Sequence, residues 1–208
     1  MKKILVGLIV VSFLIGCSSK VPRTIVPNYT KKGIRLIALM PIKDKAGDAK
    51  AAQIFRNAIL DDLYFKGYPK IPLHVIDENL EKIYGSAVES AENTIPPQTV
   101  GEVLGVDAVM YCTLEEWKTS FWLFCAPTTV AASFELRSAR TGETLWGTAF
   151  RAVKRNYDFT SKGLELKSRG SCDEAAQEVV EKAMSTLPTG PDYPGSPPKE
   201  KHSFLGLW

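Results

Sequence analysis

Histidine is nearly absent from this chain, whose 208 residues include only His74 and His202. A histidine-rich metal centre cannot be assembled from two, and a histidine-based triad has to draw on one of them. Excess charge of one sign is absent as well. The formal net charge is +3, from 26 Lys and Arg against 23 Asp and Glu, and Lys2 and Lys3 sit in a segment that reads as a removable leader. The near-neutral remainder lacks the electrostatic footprint of a nucleic-acid binder. Missing too are a Walker loop, the fingerprint G-x-G-x-x-G, the elbow G-x-S-x-G and the helix H-E-x-x-H. With them go the recognisable starting points for phosphoryl transfer, hydride transfer, esterase and zinc-protease chemistry. No metal or cofactor is expected. What remains is an ordinary globular balance, 45% hydrophobic and 24% charged, enough for one domain with a tail or two.

Long hydrophobic runs are also lacking. Residues 4–16 (ILVGLIVVSFLIG) follow Met1-Lys2-Lys3 and are uncharged, but thirteen helical residues span about 20 Å against about 30 Å of bilayer hydrocarbon. The segment therefore reads as a signal-peptide h-region over residues 1–16. It ends in Leu14-Ile15-Gly16-Cys17, which resembles the bacterial lipobox, with Cys17 as the acylated residue of the mature protein. Two or more acyl chains give durable membrane attachment where one is marginal. Ser18, in place of the aspartate of an inner-membrane retention signal, implies by the same resemblance the periplasmic face of the outer membrane. Residues 17–32 carry two prolines and no apolar periodicity, as a tether would.

Residues 33–187 read as one folded domain. Apolar patterning predicts a strand over 33–40 and a helix over 49–64, with Ala52, Phe55, Ile59 and Leu63 inward and Arg56 off the stripe. It predicts a second strand over 73–76 holding a structural His74, then a helical turn capped by Asp77, and a helix from Pro97 to about 104. Strands are expected over 107–117, 128–137 and 144–153, the last two joined by a hairpin at 139–143, and a final helix over 173–187. This order indicates an α/β (α+β) sandwich, a single mixed sheet with a hairpin and flanking helices. Residues 188–208 are proline-rich, a flexible tail whose apolar end (Phe204, Leu205, Leu207 and Trp208) could dock as a short peptide.

Two features stand out from a bland domain. Cys112 lies on the predicted buried face of its strand, while Cys125 and Cys172 lie in loops, so an oxidising periplasm favours a Cys125–Cys172 disulfide with Cys112 left free. Phe121, Trp122, Leu123 and Phe124 form an apolar run in a connection, which either tucks under the sheet as an edge strand or marks a partner or lipid contact. Beside an unpaired sheet edge this run would support self-association, with Trp122 as anchor. The neighbouring carboxylates Asp61 and Asp62, or Glu115 and Glu116, diverge too far to share a substrate.

The runs Gly67-Tyr68, His74-Val75-Ile76-Asp77, Ile95-Pro96-Pro97, Gly105-Val106-Asp107-Ala108-Val109-Met110-Tyr111 and Arg140-Thr141-Gly142-Glu143-Thr144-Leu145-Trp146 resemble an uncharacterised family of bacterial outer-membrane lipoproteins, the meningococcal antigen-candidate type. The resemblance implies a domain similar to the amino-terminal domain of TolB and to the α/β domains of CsgG and LpoB. It implies no catalytic residues, and a CsgG-like lipoprotein as partner. The expected role is a non-catalytic accessory in assembly or transport. Regulation of a peptidoglycan synthase in the manner of LpoB is the alternative, and a cell-envelope hydrolase a more distant one.

Overall fold

In the computed structural model, residues 21–85 and 95–191 are described. Cys17 and the docking segment of 204–208 lie outside the described residues. Six strands, β1 (Arg23–Ile25), β2 (Ile37–Leu39), β3 (Lys43–Asp44), β4 (Ala108–Thr119), β5 (Cys125–Ser138) and β6 (Thr144–Tyr157), form one sheet with five helices around it. The helices are α1 (Ala49–Phe65), α2 (Leu73–Tyr84), α3 (Pro97–Leu104), α4 (Ser161–Ser168) and α5 (Ser171–Ser185). The strand order is β1-β6-β5-β4-β2, with β3 also beside β4. β4, β5 and β6 are antiparallel neighbours, β2 and β3 run parallel to β4, and β1 runs antiparallel to β6. This is the mixed α/β architecture that the sequence indicated.

Period-two alternation builds the main core. Val130, Ala132, Phe134 and Leu136 of β5 share a face with Met110, Cys112 and Leu114 of β4 and with Trp146 and Ala152 of β6. Phe55, Ile59 and Leu63 of α1 and Ala176, Val180 and Ala183 of α5 cover it. Trp146 is fully buried and its indole N–H donates to Thr186 Oγ1 at 3.1 Å, so its one polar atom is satisfied. A smaller core on the other face joins Ala38, Met40 and Val109 to Ile76 and Leu80 of α2 and Val100 of α3.

Three local expectations are corrected. Residues 73–76 are not a strand but the first turn of α2, because Leu73, Ile76 and Leu80 recur at helical spacing and Pro72 stands at its start. His74 is accordingly exposed on a helix. Asp77 sits inside that helix, where it accepts two hydrogen bonds from Arg56 at 2.8 and 2.7 Å. Arg56, expected off the buried stripe of α1, is only 4% exposed and also donates to the Leu39 carbonyl at 2.9 Å. The fork therefore ties α1, α2 and β2 together. Finally, the tether expected over 17–32 is built into the fold from Arg23 onward. Thr24 and Ile25 favour a strand and add β1 to β6, and Tyr29 is buried with its hydroxyl 3.0 Å from that of Tyr68.

Candidate functional site

The four apolar residues 121–124 occupy the connection between β4 and β5. Hydrogen bonds from Ser120 N to Pro127 O and from Trp122 N to Cys125 O hold its two arms together. None of the four tucks under the sheet. Trp122 is 71% and Leu123 82% exposed, and Phe121 and Phe124 are also exposed. The connection lies at the end of the sheet, following residues 115–119 of β4, which pair with β5 on one side only.

The fold brings further apolar side chains to the same end. Tyr157 closes β6 opposite Cys125, and Phe159, 90% exposed, follows it with its ring edge-on to Phe124 at a centroid distance of 5.9 Å. Leu166 is exposed on α4. Phe159 stands out because the turn beneath it is locked. Asp158 Oδ1 accepts from the backbone N–H and the hydroxyl of Thr160, both at 2.9 Å, and its other oxygen pairs with Lys167 Nζ at 2.9 Å. The Lys167 contact first, and the Thr160 contacts after it, hold the Asp158 carboxyl down to about 2. Thr160 in turn caps α4 by accepting from Gly163 N at 3.0 Å. Lys118, Arg155, Lys162 and Arg169 are exposed cations on or next to the elements that meet at this end, Lys118 paired with Glu116 and Arg169 with Glu165.

Sequence reasoning found residues 121–124 and missed Tyr157, Phe159 and Leu166. The signal was an Asp-x-Thr pair followed by Gly163, a helix start obscured by a glycine inside the helix. The predicted disulfide is not formed: Cys112, Cys125 and Cys172 are all free. Cys172, in the first turn of α5, lies 3.8 Å from Thr119 Oγ1, which bonds Thr128 on the helix-covered face of the sheet. Cys125, three positions before Thr128 on the same strand, points to the opposite face. Burial pushes the Cys112 thiol well above its ordinary range and the Cys172 thiol upward, so neither is an activated nucleophile.

Three of the four neighbouring carboxylates are engaged in separate ion pairs. Asp61 pairs with Lys70, Glu115 with Lys45, and Glu116 with Lys118 and Arg151. Burial, and Glu181 after it, raises the Asp62 carboxyl. Among the described residues no three His, Cys, Asp or Glu side chains are grouped to hold a metal ion. The chemistry this end offers is apolar contact, with exposed cations on the same or adjoining elements.

Comparison with known proteins agrees with these features of sequence and fold. The lipoprotein NMB1124/NMB1162 of Neisseria meningitidis serogroup B is 26% identical over 147 residues, covering 70% of this chain and 68% of its own. The crystal structure of lipoprotein GNA1162 from Neisseria meningitidis superposes with a TM-score of 0.54 at 23% identity, covering 68% of this chain and 98% of that one. PelC from Paraburkholderia phytofirmans, a dodecamer, superposes with a TM-score of 0.53 at 15% identity, covering 80% of this chain and 97% of its own. Residues 28–186 match the family described as "Putative lipoprotein GNA1162-like", and the chain belongs to that family of envelope lipoproteins.

Proposed function

We propose that this protein is anchored through Cys17 on the periplasmic face of the outer membrane and self-associates there. In this reading it serves, without catalysing a reaction, as an accessory module in assembly or transport beside a CsgG-like lipoprotein. The observation that carries the reading is the pair of open sheet edges. β1 pairs with β6 only at Trp146, Gly147 and Thr148, so residues 149–157 have no described strand beyond them. On the other side β3 pairs with β4 only at Thr113 and Leu114, and residues 115–119 have none. Open edges of this length invite another strand.

The open edges differ in net charge: residues 149–157 of β6 carry Arg151, Lys154 and Arg155, and residues 115–119 of β4 carry Glu115, Glu116 and Lys118, with Arg151 and Lys118 pairing with Glu116 inside one copy. The β6 edge of one copy therefore suits the β4 edge of the next, a head-to-tail contact that makes a ring when the rotation closes. That PelC, of the same fold, is a dodecamer supports the reading. Tethering to one surface raises the effective concentration of the copies. The separate ion pairs of Asp61, Glu115 and Glu116 and the raised thiols of Cys112 and Cys172 support a role without catalysis.

The test is affinity purification of the acylated full-length protein from detergent-solubilised envelopes, followed by native mass spectrometry. A multimer recovered with a CsgG-like lipoprotein is the expected result. A monomer recovered with a peptidoglycan synthase would replace this reading with LpoB-like regulation, and hydrolysis of peptidoglycan by the pure protein would remove its non-catalytic part.

A further inference from the structure

We propose that the aromatic end of the sheet is a membrane-docking surface, which inserts Trp122, Leu123, Phe124 and Phe159 into the interface of the anionic bilayer to which the protein is anchored. Exposed large apolar side chains are not scattered over the described surface. Of the ten, seven gather at this end, on the β4–β5 connection, the end of β6 and α4. The same elements and their flanks carry the exposed cations Lys118, Arg155, Lys162 and Arg169, of which Lys118 pairs with Glu116 and Arg169 with Glu165. Aromatic rings and cations together suit the headgroup boundary, where rings enter the acyl region and cations meet lipid phosphates. Among the described residues no helix is long and apolar enough to cross a membrane.

The path of the chain selects a bilayer over a protein partner, in an argument that rests on Cys17 being the anchor. β1 is antiparallel to β6, Arg23 lies opposite Thr148, and the Pro22 carbonyl accepts from the Thr148 hydroxyl. Followed back toward its amino terminus, β1 therefore points along β6 toward Tyr157 and the aromatic end. From Arg23 to Cys17 it can extend by at most about 21 Å, at roughly 3.5 Å per residue. From Thr148 to Tyr157, β6 covers about 30 Å at roughly 3.4 Å per residue. Were residues 17–22 to keep that direction with Cys17 at the lipid surface, the aromatic end would lie at least about 9 Å beyond it, which reaches the depth at which interfacial apolar groups are buried. The locked turn at Asp158 suits this use, because a held Phe159 loses little further freedom on insertion.

The test uses the full mature chain with Cys17→Ser, which carries no lipid, and vesicles of phosphatidylethanolamine with or without phosphatidylglycerol. Wild-type surface residues are expected to bind the anionic vesicles, more weakly in high salt. The triple variant Trp122→Ala/Leu123→Ala/Phe159→Ala is expected to bind at least about tenfold more weakly. All three side chains are solvent-exposed, and circular dichroism checks that the variant folds. Lys162→Glu/Arg169→Glu, which leaves the apolar residues intact, is expected to weaken binding to anionic vesicles only. Brominated lipid is expected to quench a share of fluorescence that Trp122→Phe loses. Absence of binding by the Cys17→Ser protein, or a triple variant that binds equally, overturns the proposal. So does a triple variant that loses self-association in solution while retaining vesicle binding, which assigns the patch to a second copy. Acylation of Cys17 is read separately by mass spectrometry of the native protein, so the failure of the anchor and the failure of the docking surface are distinguishable.

Discussion

Lys167 Nζ lies 2.9 Å from Asp158 Oδ2 and donates to the Tyr157 carbonyl at 2.9 Å, so one side chain closes the turn on both sides of residue 158. The neighbouring residue, Phe159, is the most exposed large apolar residue described. A solvated polar lock thus holds an apolar ring out in water, an arrangement that packing alone would not select.

The lock is expected to open in acid. The Asp158 carboxyl is held down to about 2, below the ordinary carboxylate value. Its contribution is therefore complete above about pH 4 and is lost as pH falls through about 2. The group is exposed, so the effect should be local. Hydrogen exchange at the Thr160 and Gly163 amides should accelerate through that window, and Lys167→Met should produce the same acceleration at neutral pH.

Gly163→Ala reverses the usual rule for helices. Alanine normally stabilises a helix interior relative to glycine by roughly 1 kcal/mol, but a Cβ at residue 163 would come 2.3 Å from the Asp158 carboxyl. The lock must break or shift to admit it. Thermal denaturation is expected to show a lower melting temperature and faster exchange over residues 158–164. Gly170→Ala, with nothing within 4 Å of the added atom, is expected to be neutral or stabilising by about 0.5 kcal/mol.

The fork between Arg56 and Asp77 is half-buried on one side only: Arg56 is enclosed and Asp77 reaches solvent. Asp77→Ala leaves a guanidinium enclosed without its counter-charge and is expected to cost about 3 kcal/mol in urea denaturation. Adding Arg56→Met should recover at least about 1 kcal/mol of that loss, because the stranded charge is gone. A double variant less stable than Asp77→Ala alone would contradict the role given to the pair.

Thiol chemistry follows the two faces of the sheet. Cys112 is buried and should resist a thiol reagent until the protein unfolds, while Cys125 should react in the folded state. Mild oxidation should not join Cys125 to Cys172. Peptide mapping of oxidised folded protein that found this bridge would contradict the observed strand register.

Long strands and most helices were legible because their apolar periods differ, two for β5 and near 3.6 for α1 and α5. Residues 73–76 were misread because Leu73, Val75 and Ile76 satisfy both patterns when taken four at a time, and only Leu80 decides between them. The burial of Arg56 was illegible for another reason: its partner Asp77 lies 21 residues away on a different helix, and long-range pairing leaves no local trace. Residues 121–124 were found by composition alone, but their place at the sheet end needed the strand order. Phe159 depended on a turn made by Asp158, Thr160 and Lys167, which periodicity does not detect.

In the proposed reading, this lipoprotein acts as an assembly of its own copies through its open sheet edges. Sedimentation velocity of the acylated full-length protein in detergent, across a range of concentrations, measures this directly. A discrete multimer at micromolar concentration is expected, and Arg155→Glu, on the β6 edge, is expected to weaken it by about tenfold. A wild-type protein that stays monomeric throughout the range would contradict this reading.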